Sequence, residues 1–392
     1  MKIIKTQIEK FDPTNLKTVF LASLFWRFLV FSIVILGYFL LAEKYAPSSL
    51  IGSPWNKNFL FWSWANFDAE HFLHIAEFGY GYNRGLPMFS FFPLYPLMLR
   101  FLNKIFSDYF LVGQIIIFIF LPLTIYFLNC LLKKEGIADK KIWLIDLLFL
   151  FSPGAVFLNA FYTELPFLFF IIASLFFLKE KKYWSSALLG FLASATRVVG
   201  IFIAPAIFWV LLKEKKLSWS KKISFPLFSS LGLFCYSLFL KFKFANPLLF
   251  GLSHQAWGKA QIVSPFQTLI NYLLTIFSWP SGLSWLNYYT VLIEFLITLT
   301  ALISFIYLWS QTLKGKKAKP ALAFSTLAFI LPFLTGSLGT MPRYLLTFLS
   351  LFPFWANIFV KIKPAVRFFL LGIMFLVFSS GVILFTRGYW WG

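Results

Sequence analysis

Three carboxylates and two imidazoles fall inside one short segment, FDAEHFLHIAEFG at 67–79: Asp68, Glu70, His71, His74 and Glu77. The whole chain has only 14 acidic residues and 3 histidines, so this is a concentration of scarce groups. Carboxylates close to apolar surroundings are costly and are kept where they serve a purpose. An ionised carboxylate can take a proton from an attacking hydroxyl, or orient it, which is what inverting sugar transfer asks of its base. Asp68 is the first candidate for that role and Glu70 the second. A competing structural role for Asp68 is to cap the free N–H groups of a helix start. His71 and His74 lie three apart, so they could share a metal with Asp68 or Glu70. Interfacial polar residues or substrate contacts are the commoner use of such a pair, so no cofactor is expected, with a divalent metal as the remote alternative.

On a helix at about 100° per residue, Glu70, His74 and Glu77 share one side, with His71 and Asp68 continuing the arc. Ala69, Phe72, Leu73 and Ala76 cover the other side. The segment reads as a short amphipathic helix lying in a membrane interface. Trp55, Trp62 and Trp64 precede it as interfacial anchors. Glycines and prolines then turn the chain through Tyr80 to Phe91-Phe92-Pro93-Leu94-Tyr95-Pro96. Those aromatics either anchor the interface or stack on sugar rings.

The elements that must hold this loop are membrane spans. Of 392 residues, 60% are hydrophobic, 22% aromatic and 12% charged. A soluble domain carries roughly 25% charged residues. Apolar runs of about 20 residues, each able to cross a bilayer core, recur at 19–42, 110–132, 142–161, 164–178, 184–196, 198–212, 223–240, 287–313, 321–336, 344–360 and 366–386. The expectation is an all-α polytopic membrane protein, a single unit over 1–392 with about eleven spans. Residues 89–104 are apolar too, but Pro93, Pro96, Arg100 and Lys104 argue against a free span. The net charge of +21 could point to nucleic acid. The basic residues instead form short clusters between apolar runs, as cytoplasmic loops do, so nucleic acid is not an expected partner. With the N-terminus inside, 23 of the 35 Lys and Arg residues fall in inner segments. The larger loops, about 43–109 and 241–286, then face outward, as does the C-terminal Trp390-Trp391 pair at interfacial depth. Cys130 and Cys235 sit inside apolar runs and suggest no disulfide framework. Asp146 and Glu294, within apolar runs, are expected to bond buried partners between helices.

FDAEHFLHIAEFGYGY followed by FFPLYPLMLR resembles the first loop of the GPI mannosyltransferase II (PIG-V-type) family and its prokaryotic relatives. Four later segments follow in family order: Asn159-Ala160-Phe161-Tyr162-Thr163-Glu164, Ala195-Thr196-Arg197 with Gly200, His254-Gln255-Ala256-Trp257-Gly258-Lys259, and Pro342-Arg343-Tyr344. Phe67 departs from the family's usual Trp. The resemblance implies a GT-C-type fold. It also implies mannose taken from a polyprenyl (dolichyl-type) phosphate on the outer or lumenal face, inversion to an α-linkage, and Asp68 at the catalytic position.

Such a donor leaves as a phosphomonoester whose growing charge needs a cation. Arginine suits this because it is always charged and binds phosphate oxygens bidentately. Arg197 and Arg343 interrupt apolar segments and are the donor-phosphate candidates; the alternative is a helix-end residue snorkelling to the interface. His71, His74, Tyr80, Glu164, Gln255, Trp257 and Tyr344 are the substrate-binding candidates. Capping explains Glu164 as well as sugar binding does, and Trp257 could equally be an aromatic-belt residue. The function expected is a mannosyl- or hexosyltransferase acting on a lipid-linked or envelope glycan. Its membrane is the plasma membrane if the host is prokaryotic and the endoplasmic reticulum if eukaryotic. A transporter or flippase of lipid-linked substrates is the alternative. It should show paired halves and midplane ionisable groups, whereas here the acidic residues concentrate in one outer loop.

Overall fold

The computed structural model describes residues 12–44, 62–83, 85–257, 263–278, 284–315 and 319–391. Trp55, Gly258 and Lys259 lie outside them, as does the side chain of Trp257.

Among the described residues the regular structure is helical, apart from one small hairpin. Helix α1 (Leu16–Leu40) is followed by the first loop, which holds α2 (Asp68–Phe78), the antiparallel pair β1 (Tyr82–Asn83) and β2 (Leu86–Pro87), and α3 (Leu94–Phe106). Then come α4 (Tyr109–Lys134), α5 (Asp139–Leu150), α6 (Glu164–Lys179), α7 (Tyr183–Thr196), α8 (Ile203–Leu212) and α9 (Trp219–Phe244). The second loop holds the single turn α10 (Leu249–Leu252) and α11 (Pro265–Ser278). Helices α12 (Trp285–Leu313), α13 (Pro320–Leu334), α14 (Met341–Leu345), α15 (Leu351–Lys361) and α16 (Pro364–Thr386) complete the order. Five of these, α1, α4, α9, α12 and α16, are long and apolar enough to cross a bilayer, and their exposed faces carry large apolar side chains such as Phe28, Phe234 and Leu376. The protein is an integral membrane protein.

Two of the expected spans are broken, and each break serves the site. The run at 142–161 stops at Leu150, and Pro153–Leu158 continues as a 3-10 turn. Proline starts that turn because its missing N–H costs nothing there. A Cβ on Gly154 would lie 2.1 Å from the carbonyl oxygen of Pro342, so glycine lets this backbone touch the backbone of α14. The run at 344–360 is likewise split, into the single turn of α14 and the longer α15. A third irregularity follows α7, where Val198–Phe202 forms a 3-10 turn. Gly200 folds it back on the end of α7, since a Cβ there would meet Ala193 O at 2.3 Å.

Helix α2 has nearly the expected bounds but not the expected setting. Ala69, Phe72, Leu73, Ile75 and Ala76 are buried in the protein, and so is Glu70 at 2% exposure, contrary to its expected place on a wet face. Its apolar arc packs on neighbouring elements of the protein. The exposed apolar stripe belongs to α3, where Leu97, Phe101 and Ile105 recur every four residues. Arg100 of α3 donates from Nε to Ala76 O at 2.6 Å and from Nη2 to Ile75 O at 2.9 Å. It thereby satisfies Ala76 O at the open end of α2 and adds a second bond to Ile75 O, which already accepts from Gly79 N. Trp64 is fully buried, and Trp391 nearly so with its indole N–H on Pro153 O at 3.0 Å, so neither is an interfacial anchor. The interhelical partners expected for the buried acids are present. Asn129 donates to Asp146 at 2.9 Å and Tyr272 to Glu294 at 3.1 Å.

Candidate active site

Asp68 opens α2 but caps nothing. Its own backbone N–H is taken by the hydroxyl of Tyr162 at 3.1 Å, and that hydroxyl donates to Asn66 O at 3.0 Å. Asn66 in turn donates to Phe385 O at 2.8 Å. Phe67, directly before Asp68, has φ +56°, a conformation that side-chain-bearing residues rarely adopt. Its ring is wedged between those of Phe385 and Trp390, each 5.8 Å away. The turn into α2 is thus fixed from three sides, and backbone strain of this kind persists only where the surroundings over-determine it.

The carboxylate of Asp68 points at Arg343, whose Nη1 donates to Oδ2 at 2.5 Å. Arg343 also donates from Nε to Glu164 Oε1 at 2.7 Å, with Nη2 2.6 Å from the same oxygen. Arg197 bonds that oxygen too, through Nη1, which also reaches Thr163 Oγ1 at 3.3 Å. Two guanidinium groups and two carboxylates therefore form one chain of ion pairs: Asp68, Arg343, Glu164, Arg197. Rings shield both cations. Arg343 Cζ lies 4.8 Å from the centre of Tyr162 and 5.3 Å from that of Phe157. Arg197 Cζ lies 5.7 Å from Tyr344 and 5.8 Å from Phe167. Contacts of this geometry favour a cation at a ring face.

Burial alone would push the Asp68 carboxyl toward its neutral form. The Arg343 charge and hydrogen bond outweigh that and hold it below the usual carboxylate range, so Asp68 is ionised at neutral pH.

A cavity of about 660 Å³ opens over this chain of charges. Asp68, Glu70, His71, Arg197, Arg343 and Tyr344 line it. Glu164 stands behind the two arginines, neither capping α6 nor lining the cavity. His74 turns away, its ring 4.9 Å from that of Phe78. Tyr80 is also outside the lining. Its hydroxyl donates to Phe91 O at 2.6 Å and its ring meets Tyr236 at 5.4 Å, which secures the loop. Gln255 is exposed and away from the cavity, and the side chain of Trp257 is outside the described residues. Several lining residues are not among the site candidates read from sequence: Asn83, Ser90, Thr163, His254, Thr340 and Trp390. His254 had a signal, as the chain's third histidine and the direct neighbour of Gln255. Among the described residues, no three His, Cys, Asp or Glu side chains gather into a set able to hold a metal ion.

The far wall is the loop 335–340, which leads into α14. Helix α11 holds it. Thr268 Oγ1 donates to Phe333 O at 3.0 Å, and Tyr272 accepts from Leu338 N at 3.0 Å while donating to Glu294.

A family model described as Mannosyltransferase (PIG-V) matches residues 18–380. The chain belongs to that family. Among PIG-V relatives, GPI alpha-1,6-mannosyltransferase 2 of Cricetulus griseus is 35% identical over 147 residues, and that of Homo sapiens 31% identical over 150. Each match covers 35% of this chain and 29% of the relative, so the similarity spans under a third of those proteins' length. The crystal structure of ArnT from Cupriavidus metallidurans bound to undecaprenyl phosphate overlays 93% of this chain and 76% of its own at TM-score 0.49 and 13% identity. The PIG-V family is one of transferases, so the transporter alternative finds no support in it.

Proposed function

We propose that this protein transfers a mannosyl unit from a polyprenyl-phosphate donor to a lipid-linked or envelope glycan, with inversion, at the outer or lumenal face of its membrane. The GT-C-type architecture implied by the sequence resemblance is part of this reading. The observation that carries it is the pairing of Asp68 with Arg343 at the wall of a cavity that also exposes Arg197.

The acceptor hydroxyl enters beside Asp68. As its oxygen bonds to the anomeric carbon from one face, the bond from that carbon to the donor phosphate oxygen breaks on the other. The hydroxyl proton passes to Asp68. General-base assistance of this kind contributes about 10²–10⁴-fold. The departing phosphomonoester gains negative charge, which the guanidinium N–H groups stabilise. Arg343 already commits all three nitrogens to carboxylates, whereas Arg197 commits Nη1 alone. A guanidinium carries five N–H donors, so Arg197 is the better phosphate ligand. Arg343 keeps Asp68 ionised and aimed. Glu164 positions both cations. The outer-face assignment rests on the basic-residue count, which places Asp68, Glu164, Arg197 and Arg343 on one side. Their contact in the fold is consistent with that.

Purified protein in lipid vesicles, given polyprenyl-phospho-[³H]mannose and a lipid extract of its native membranes, is expected to label a glycolipid. GDP-mannose in place of the lipid donor is expected to give none. Labelling from GDP-mannose alone, or from neither donor, contradicts the proposal.

A further inference from the structure

We infer that Asn83 and Ser90 form the subsite that receives the sugar of the acceptor. This inference rests on the transfer reading above. Three observations carry it.

First, these two side chains are incomplete. Asn83 Nδ2 and Ser90 Oγ are buried at the cavity lining, and neither has a hydrogen-bond partner. A buried donor left unmade costs about 1–3 kcal/mol, so such groups in a native protein call for a ligand or an ordered water. Both residues line a cavity large enough for a sugar ring.

Second, the wall that carries them is built rigidly. Asn83 closes β1, paired with Leu86 across the hairpin. Ser90 ends the 3-10 turn Met88–Ser90, which Tyr236 holds from α9 by donating to Phe89 O at 2.8 Å. Met88 N donates to Gly81 O at 3.0 Å. The second loop, at Ser253–Trp257, packs against this hairpin and turn and adds His254 to the same wall. Polar groups on a fixed wall are preorganised for a ligand.

Third, the cavity is chemically varied. Beside Arg197, where the turn Val198–Phe202 packs on α13, Val198, Leu331 and Pro332 supply apolar lining that suits a prenyl chain. The hairpin wall adds, among apolar Leu86 and Phe91, the amide of Asn83, the hydroxyl of Ser90 and the imidazole of His254. Amide N–H and hydroxyl groups match the alternating donors and acceptors of a neutral, polyhydroxylated ring. Asp68 lines the same cavity, where the acceptor hydroxyl must meet the donor carbon.

The test is a two-substrate saturation experiment in vesicles. Polyprenyl-phospho-[³H]mannose and the native-membrane lipid extract are each varied against an excess of the other, for wild type, Ser90→Ala and Asn83→Asp. Ser90→Ala removes one oxygen. Asn83→Asp keeps the shape but removes both N–H donors. Each is expected to raise the half-saturating amount of extract about tenfold with the lipid-donor half-saturation unchanged. Because Ser90→Ala alters so little, it keeps the test open if Asn83→Asp disturbs the hairpin. Wild-type turnover with the extract dependence unchanged in Ser90→Ala, or with donor saturation shifted instead, overturns the subsite alone. A wild type that forms no product contradicts the transfer reading, and the subsite falls with it.

Discussion

Asp68 and Glu164 each begin a helix, and for both the sequence leaves capping open as the role. The fold gives them a different one, because each faces a guanidinium from far along the chain. Taking one partner from such a buried pair leaves the other charge uncompensated, at a cost of about 3–5 kcal/mol. The proposal separates the two arginines by role. Arg197→Ala is expected to weaken polyprenyl phosphate binding about tenfold or more, measured by titration in detergent. Arg343→Met should act chiefly on turnover and on its pH profile. In the wild type the acid limb of kcat/KM lies below the ordinary carboxylate range, because Arg343 depresses the Asp68 pKa. Activity is then full above that pKa and falls as pH drops through it. With Arg343 gone, burial dominates and raises the Asp68 pKa, so the acid limb must move to higher pH. An unmoved acid limb in Arg343→Met contradicts the proposed coupling.

At the scale of elements, the site depends on irregular backbone. The 3-10 turn at Pro153–Leu158 and the single turn of α14 meet through Gly154, and that contact delivers Arg343. Hydrophobic runs marked where the apolar segments lie and located the long helices, but not α3, α10 or α11, which fall in the expected outer loops. They could not mark these breaks, because a buried 3-10 turn of Gly, Ala, Val, Phe and Leu is as apolar as the helix it interrupts. The same blindness explains α2. Its polar arc was legible, but whether protein or lipid covers the apolar arc depends on neighbours distant in sequence. Asn83 and Ser90 carry no signal of their own, since only the folded hairpin turns them to the cavity. Helix α11 secures the far wall through Tyr272, which bridges Leu338 N and Glu294. Tyr272→Phe removes both hydrogen bonds and should lower turnover about tenfold. Glu294→Leu should also lower it, whereas Glu294→Gln, which can still accept from the tyrosine, should keep most of the wild-type rate. Wild-type turnover in Tyr272→Phe contradicts a positioning role for this bridge.

For the whole molecule, the decisive feature is that residues 68, 164, 197 and 343 arrive at one place although nearly 280 positions separate the first from the last. The distribution of Lys and Arg predicts that this place faces outward. Glu77 at the site end and Lys140 at the opposite end are both exposed. With Cys130 and Cys235 replaced, Glu77→Cys is expected to react with a membrane-impermeant maleimide added to intact cells, and Lys140→Cys only after lysis. The reverse pattern would put the chemistry on the cytosolic face.

The most direct test of a catalytic Asp68 is the isosteric Asp68→Asn variant in the vesicle assay, with polyprenyl phosphate binding measured in parallel. Transfer should fall about 10³-fold or more, within the range of lost general-base assistance, while lipid-phosphate binding stays within a few-fold of wild type. Turnover at a near wild-type rate in Asp68→Asn would show that the carboxylate takes no part in the reaction.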